Sequence, residues 1–280
     1  AFGTEINGAK NWIFIPGTNQ GFQPSEMIKI LFIFFLASYY FWLGEKYVKL
    51  IDLFTFLKSN ASFKDLKLLQ LPIPRHFIMM ILVYMLIGFL ILQREWGTAL
   101  QFFIIYSIMT YVFEKKKTII MIVIPNLALA IIGSIAGYFL TSHIKTRVDM
   151  WLDPWVDPNG GGYQIIRSLF SIAGQGNGNF FGAGLGKGFP ESVPRVETDF
   201  IFAGICDEMG LFTGCAVILL YFILVYRGIK VSLSIKNQFQ KKITLGITTL
   251  FGIQTFIIIG GVIKMIPLTG ITLPFISHGG

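Results

Sequence analysis

The stretch Glu197-Thr198-Asp199-Phe200-Ile201-Phe202-Ala203 sets a carboxylate at the mouth of a long apolar segment. Residues 200–226 are mostly apolar and exceed the roughly 20 helical residues that cross a bilayer. A carboxylate at such a lip is wet enough to ionise and close enough to lipid to meet a lipid-linked substrate. Asp199 there can take a proton from a hydroxyl, ligate a divalent cation through oxygen, or cap the helix it precedes. Thr198 can fill that last role equally well.

Other charges repeat the pattern more deeply. Asp207 and Glu208 fall about 12 Å further along a helix, at about 1.5 Å per residue. Asp207 is about 80° around the axis from Asp199 and Glu208 about 180°, so Asp207 shares more of its face. Ionisable groups at that depth face a cavity or a partner, because hydrocarbon does not solvate them. Glu26 and Lys29 are three apart and can pair across one turn; a structural ion pair is the reading preferred to substrate contact.

The elements that must hold these groups follow from composition. Hydrophobic residues make up 54% of the chain and charged residues 14%, which no soluble domain of this length buries without a large apolar patch. The apolar residues come in blocks, predicting an all-α, polytopic membrane fold with spans near 25–43, 76–92, 97–113, 118–141, 200–226 and 243–266. The net charge of +8 does not point to nucleic acid, because the basic residues sit between the apolar blocks, where topology explains them.

Alternate connections carry those cations. Lys46, Lys49, Lys58, Lys64, Lys67 and Arg75 lie in 44–75, Lys115 to Lys117 follow the third span, and Arg227, Lys230, Lys236, Lys241 and Lys242 follow the fifth. The positive-inside rule puts these three in the cytoplasm. The opening segment, the turn Gln93-Arg94-Glu95-Trp96, the loop 142–198 and the segment from Pro267 then face the exterior, as does Asp199. The loop 142–198 balances five basic against five acidic residues. Its Gly, Pro and Asn content predicts that it folds over the bundle, with short helices near 146–153 and 162–173.

The run Gly182-Ala183-Gly184-Leu185-Gly186-Lys187-Gly188 is not a nucleotide-binding loop: no strand pattern precedes it and the spacing is wrong. It reads as a flexible loop or as a contact for a pyrophosphate through backbone N–H groups and Lys187. Cys206 and Cys215 fall on opposite faces of one span, which excludes a disulfide between them. His76, His143 and His278 are scattered, and no Cys/His cluster for zinc exists. Trp12, Trp96, Trp151 and Trp155 read as interfacial anchors. Lys264 reads as a cation snorkelling to the lip.

Six patches in order resemble one family. They are Asn7-Gly8-Ala9-Lys10-Asn11-Trp12-Ile13; Gln23-Pro24-Ser25-Glu26 with Lys29; Gln93 through Ala99; Gly162-Tyr163-Gln164 with the glycine run to Gly188; Thr198-Asp199-Phe200-Ile201 with Asp207-Glu208-Met209-Gly210; and Pro267-Leu268-Thr269-Gly270 through Leu273-Pro274-Phe275-Ile276-Ser277-His278-Gly279-Gly280. Each is similar to a motif of the SEDS proteins (shape, elongation, division and sporulation), which include RodA, FtsW and SpoVE. The resemblance covers essentially the whole chain. It implies a ten-span fold, of which residues 1–280 form an excerpt, a single SEDS-type membrane domain with the exterior loop 142–198. The chain departs from the family pattern at Arg94-Glu95, usually Pro-Asp, at Ile258, often Asn, at Lys264, often Gly, and at His278, usually Tyr. The resemblance is therefore to a divergent member of the family.

The resemblance further implies a peptidoglycan glycosyltransferase that joins lipid II into glycan strands at the outer face of the bacterial cytoplasmic membrane, in elongation, division or sporulation. A class B penicillin-binding protein is its implied partner. The family's essential Asp maps onto Asp199, here the expected base. Lys187, Arg195, Glu197, Thr198, Asp207, Gln164, Arg94 and Ser277 are the expected substrate contacts, with Lys10 a further exterior cation. A divalent cation, Mg or Mn, is an open expectation; cations of some kind must offset the growing pyrophosphate charge. Two other functions compete: a flippase for the lipid-linked precursor, and a non-catalytic scaffold for the penicillin-binding protein. A flippase needs a polar path through both leaflets, whereas the intramembrane charges here cluster in the outer half.

Overall fold

A computed structural model describes residues 4–6, 9–14, 21–41, 47–49, 72–114, 116–174, 180–188 and 192–278. Asn7, Gly8, Lys46, Lys58, Lys64, Lys67, Lys115, Gly279 and Gly280 lie outside that set, as do the side chains of Lys10 and His143. The described helices are α1 (Pro24–Phe41), α2 (Arg75–Leu92), α3 (Trp96–Phe113), α4 (Lys116–Leu140), α5 (Ser142–Leu152), α6 (Tyr163–Ile172), α7 (Ile201–Ser234) and α8 (Gln238–Val262). Within them, Pro24–Phe41, Trp96–Phe113, Ile122–Phe139, Ile201–Ser234 and Gln238–Val262 are long and apolar enough to cross a membrane, and His76–Leu92 is a shorter apolar helix. The chain is a multi-pass helical membrane protein.

Short strands, not expected from the sequence, lie in the connections. Thr4–Ile6 (β1), Ala9–Phe14 (β2) and Gly21–Phe22 (β3) form an antiparallel sheet in the order β1-β2-β3, and Tyr47–Lys49 (β4) pairs antiparallel with Pro72–Pro74 (β5). The chain divides into two compact units, residues 1–124 with 237–243, and residues 125–236 with 244–280.

In the first unit α1 begins on Pro24, where a missing N–H costs nothing. Phe32, Ile33, Leu36, Ala37 and Tyr40 are buried, while Met27, Leu31, Phe34 and Phe35 are exposed. The exposed face suits lipid. The buried face meets α3 through the Phe32 and Phe102 rings, 4.6 Å apart, and a 2.6 Å hydrogen bond between the Tyr40 and Thr110 hydroxyls. A tight turn joins α2 to α3, with Arg94 at φ 64° and the Glu95 N–H donating to the Leu90 carbonyl. Lys29, only 2% exposed, is 2.6 Å from the Glu26 carboxylate on the same helix.

In the second unit the described residues between Ser142 and Asp199 dock on α7, α8 and the chain after α8. Helix α6 packs along α7, and Ser168 Oγ donates to the Val262 carbonyl at the end of α8. Helix α5 is stitched to the chain that follows α8. Trp151 Nε1 donates to the Lys264 carbonyl at 3.1 Å, and Lys264 Nζ donates to the Leu152 carbonyl at 3.3 Å. Lys264 thus braces α5 through its ammonium and its carbonyl. Ile258 is buried in the core.

Helix α7 departs from the expected continuous span. It breaks at Gly210, whose φ of 81° and ψ of 168° are not helical. The break frees carbonyls that lipid cannot satisfy. The segment 180–188 supplies the partners: Ala183 and Gly184 N–H donate to the carbonyls of Asp207 and Glu208 at 3.0 and 2.9 Å, and Phe212 N–H donates to the Phe180 carbonyl at 3.1 Å. A Cβ on Gly210 would strike the Phe180 carbonyl, so the two backbones meet only because the side chain is missing. Beyond the break, residues 211–234 run about 36 Å, enough to span. Arg227 and Lys230 ride on this helix rather than in a loop.

Candidate active site

Asp199 sits in a turn organised around one carbonyl. The N–H groups of Thr198, Asp199 and Phe200 all point at the Arg195 oxygen, at 3.2, 3.2 and 3.4 Å, and Thr198 Oγ1 donates to it as well. Buried Val193 and Phe200 anchor the turn on either side. Helix α7 starts only at Ile201, and no side chain caps it. Neither Asp199 nor Thr198 is an N-cap, so the capping reading fails and the carboxylate is left for other work.

Two segments distant in sequence close on that turn. Ser277 Oγ donates to the Thr198 carbonyl at 2.7 Å and accepts the Leu273 N–H at 2.9 Å, while His278 N–H donates to the Glu197 carbonyl at 2.8 Å. The other segment is α5, which brings Arg147. Its Nη1 donates to the Leu268 carbonyl at 3.1 Å. An atom placed where Gly270 would carry a Cβ lies 3.6 Å from Arg147 Nη2 and 3.6 Å from Asp199 Oδ2. The guanidinium and the carboxylate thus flank Gly270.

Burial pushes the Asp199 carboxyl above its usual range, against the opposing pull of hydrogen bonding from Thr198 and of the Arg195 and Arg147 charges. Desolvation likewise lowers Arg147, which Asp199 partly offsets and Arg195 reinforces. Arg147 remains a cation at any physiological pH. A partly buried carboxylate of raised basicity beside fixed cations suits proton abstraction from a hydroxyl. Asp199 faces two guanidinium groups, and among the described residues no cluster of three His, Cys, Asp or Glu side chains can hold a metal ion.

The other expected residues divide by what they touch. Thr198 and Arg195 share the Asp199 turn, Glu197 is exposed beside it, and the Ser277 hydroxyl is committed to backbone partners that fix the turn. Asp207 is buried against the 180–188 segment, where a Cβ on Gly188 would lie 2.7 Å from its Oδ2. Glu208 accepts the Gly186 N–H at 3.2 Å. The glycine run therefore spends the N–H groups of Ala183, Gly184 and Gly186 on α7 and does not aim them at an anion. Lys187 remains exposed on that segment. Gln164 lies in the first turn of α6, part-buried. Arg94 belongs to the other unit. Arg147 and Gly270 were missed as site residues, although Gly270 lies in a quoted motif and Arg147 is a cation four residues before an expected anchor, Trp151.

The family model for cell cycle proteins of the FtsW, RodA and SpoVE type matches residues 1–280. The chain belongs to that family. It is 36% identical over 278 residues to the peptidoglycan glycosyltransferase RodA of Mycobacterium bovis, covering 99% of this chain and 55% of that protein. It is 32% identical to stage V sporulation protein E of Bacillus subtilis, covering 98% of this chain and 67% of that protein. The chain thus spans little more than half the length of the mycobacterial RodA proteins it matches. Among solved structures it is similar to a chain of a peptidoglycan synthase complex that coordinates polymerization and crosslinking, with 25% identity, a TM-score of 0.68, and coverage of 99% and 69%. It also shares the fold of Thermus thermophilus RodA, at 21% identity and a TM-score of 0.55, covering 99% of this chain and 65% of that one.

Proposed function

We propose that the full-length protein is a peptidoglycan glycosyltransferase that polymerises lipid II at the outer face of the bacterial cytoplasmic membrane, with Asp199 as general base. The observation that carries this reading is a partly buried carboxylate at the lip of an apolar helix, faced by the Arg195 guanidinium of its own turn and by Arg147 from another segment. The names borne by the mycobacterial RodA relatives support the same chemistry. The arrangement of α7 supports the outer face: Asp199 precedes its first residue and Arg227 and Lys230 lie near its last, and the positive-inside rule favours the cytoplasm for the basic end.

Asp199 takes the proton of the attacking sugar hydroxyl. The oxygen bonds to the anomeric carbon of the second lipid II, and the lipid pyrophosphate leaves with the electron pair. Arg195, with Lys187 as a further exterior cation, offsets the charge growing on the pyrophosphate. A class B penicillin-binding protein is the fitting partner, since the similar synthase complex couples polymerization to crosslinking. No step passes through a metal.

The experiment uses purified full-length protein with labelled lipid II, with and without a divalent-metal chelator. Glycan strands in both conditions are expected. Lipid II moved across sealed vesicles without strand formation would instead establish the flippase, and strands made only when a penicillin-binding protein supplies the polymerase would establish the scaffold.

A further inference from the structure

Gly270 has no side chain at the one point where the Asp199 carboxylate and the Arg147 guanidinium converge. Its φ is +71°, and it is exposed, so the space above its Cα opens outward. An atom at the Cβ position has as its three nearest heavy neighbours Arg147 Nη2 at 3.6 Å, Asp199 Oδ2 at 3.6 Å and Arg147 Nη1 at 4.0 Å. These distances leave room for one heavy atom that a small shift brings into hydrogen-bond range of both groups.

The two walls select what that atom can be. A phosphate oxygen would accept from Arg147 but repel Asp199. An ammonium would pair with Asp199 but repel Arg147. A hydroxyl donates one hydrogen bond and accepts others, so of the three groups the acceptor substrate could bring it is the one that satisfies both walls, in the place a water would take. We propose that the gap over Gly270 is the seat of the acceptor sugar's attacking hydroxyl, which donates to Asp199 Oδ2 and accepts from Arg147 Nη2. This rests on the glycosyltransferase reading and deepens it. As the O–H bond breaks, the proton passes to Asp199. The oxygen forms the new bond to the anomeric carbon, the bond from that carbon to the pyrophosphate breaks with its electron pair, and Arg147 holds the negative charge that passes over the oxygen. The Leu268 carbonyl fixes the guanidinium by its other nitrogen, so Arg147 points at the seat before substrate arrives.

The test compares four variants of the full-length protein with the parent, by steady-state lipid II polymerisation and by lipid II binding. Gly270→Ala fills the seat with a methyl group. It is expected to lower kcat by tenfold or more while lipid II binding stays within about twofold. Gly174→Ala carries the same backbone strain, since Gly174 has φ 72° at the end of α6, and is expected to polymerise within about twofold of the parent. Arg147→Ala is expected to lose tenfold or more in kcat, with guanidinium ion in the buffer restoring part of the loss. Gly270→Ala acting like the parent overturns the proposal, as does Gly174→Ala losing as much as Gly270→Ala. The fourth variant, Asp199→Asn, separates the two levels. If it is inactive while Gly270→Ala and Arg147→Ala are both unimpaired, the base reading stands and the seat is wrong. If it polymerises normally, the base reading fails and the seat falls with it.

Discussion

Two carboxylate–cation groups in this molecule differ in how they are assembled. Glu26 and Lys29 belong to one helix, three residues apart, and their charged atoms are 2.6 Å apart. The pair is complete within a single turn. Asp199, Arg195 and Arg147 come from two segments and are held apart by Gly270 and by backbone partners such as the Leu268 carbonyl. The first group is closed on itself; the second keeps a space between its charges. A closed pair stabilises a helix, whereas an open one has unspent hydrogen-bonding capacity for a substrate. The contrast teaches that spacing between opposite charges, more than their presence, distinguishes the proposed site from a structural pair.

Replacing Asp199 gives the largest expected effect. Asp199→Ala should lower lipid II polymerisation by roughly two orders of magnitude or more, with little change in Tm, because the carboxylate caps no helix. A large fall in Tm with activity lost only in proportion would make Asp199 structural and erase the contrast.

Gly210→Ala tests the break in α7. A Cβ in the left-handed region, pressed on the Phe180 carbonyl, should cost about 2 kcal/mol. Amide hydrogen exchange at Ala183 and Gly184 should accelerate, since their acceptors lie beside the break. Unchanged exchange would mean that the 180–188 segment is held by something else.

Glu26→Gln sharpens the other side of the comparison. It leaves Lys29 buried beside a neutral amide, and Glu26 itself is 43% exposed, so a loss of about 1–2 kcal/mol is expected. Polymerisation per folded molecule should stay near the parental value. A selective loss of kcat at unchanged stability would move this pair into the reaction.

Arg195→Ala should be mildest. The side chain is exposed, so its interaction with Asp199 is screened and should contribute less than about 1 kcal/mol. A threefold change in rate is the expected scale, and a hundredfold loss would promote it above Arg147.

Much of this architecture is legible in the sequence because lipid enforces simple rules. Apolar blocks give the first four spans to within two residues, since every backbone group inside a bilayer must find its partner within a helix, whereas the helix of the fifth span runs on to Ser234 and that of the sixth begins at Gln238, because their basic ends are helical too. The two short helices expected near 146–153 and 162–173 are found at Ser142–Leu152 and Tyr163–Ile172. The break at Gly210 is not legible, because Met209-Gly210-Leu211 continues the apolar run and the groups that satisfy the break come from residues 180–184. Arg147 escapes for a similar reason. In a loop of balanced charge nothing distinguishes it, and the carbonyl that aims it is 121 residues away. Asp199 is legible as a residue, yet its freedom from capping appears only once the helix is seen to start at Ile201. The β1–β3 sheet escapes because its strands are only two to six residues long.

The pH dependence of kcat/KM for lipid II polymerisation tests most directly whether Asp199 is the proton acceptor, because it reads the titration of the free enzyme's base. Burial raises the Asp199 carboxyl, and a base works only when deprotonated. The parent's rate should therefore rise with pH through an acid limb lying above the ordinary carboxylate range. Arg147 lowers that carboxyl, so Arg147→Ala should carry the limb to still higher pH while Arg195→Ala moves it the same way. An acid limb at the ordinary carboxylate position, or one that stays in place when both arginines are removed in turn, would contradict the assignment of Asp199 as the titrating base.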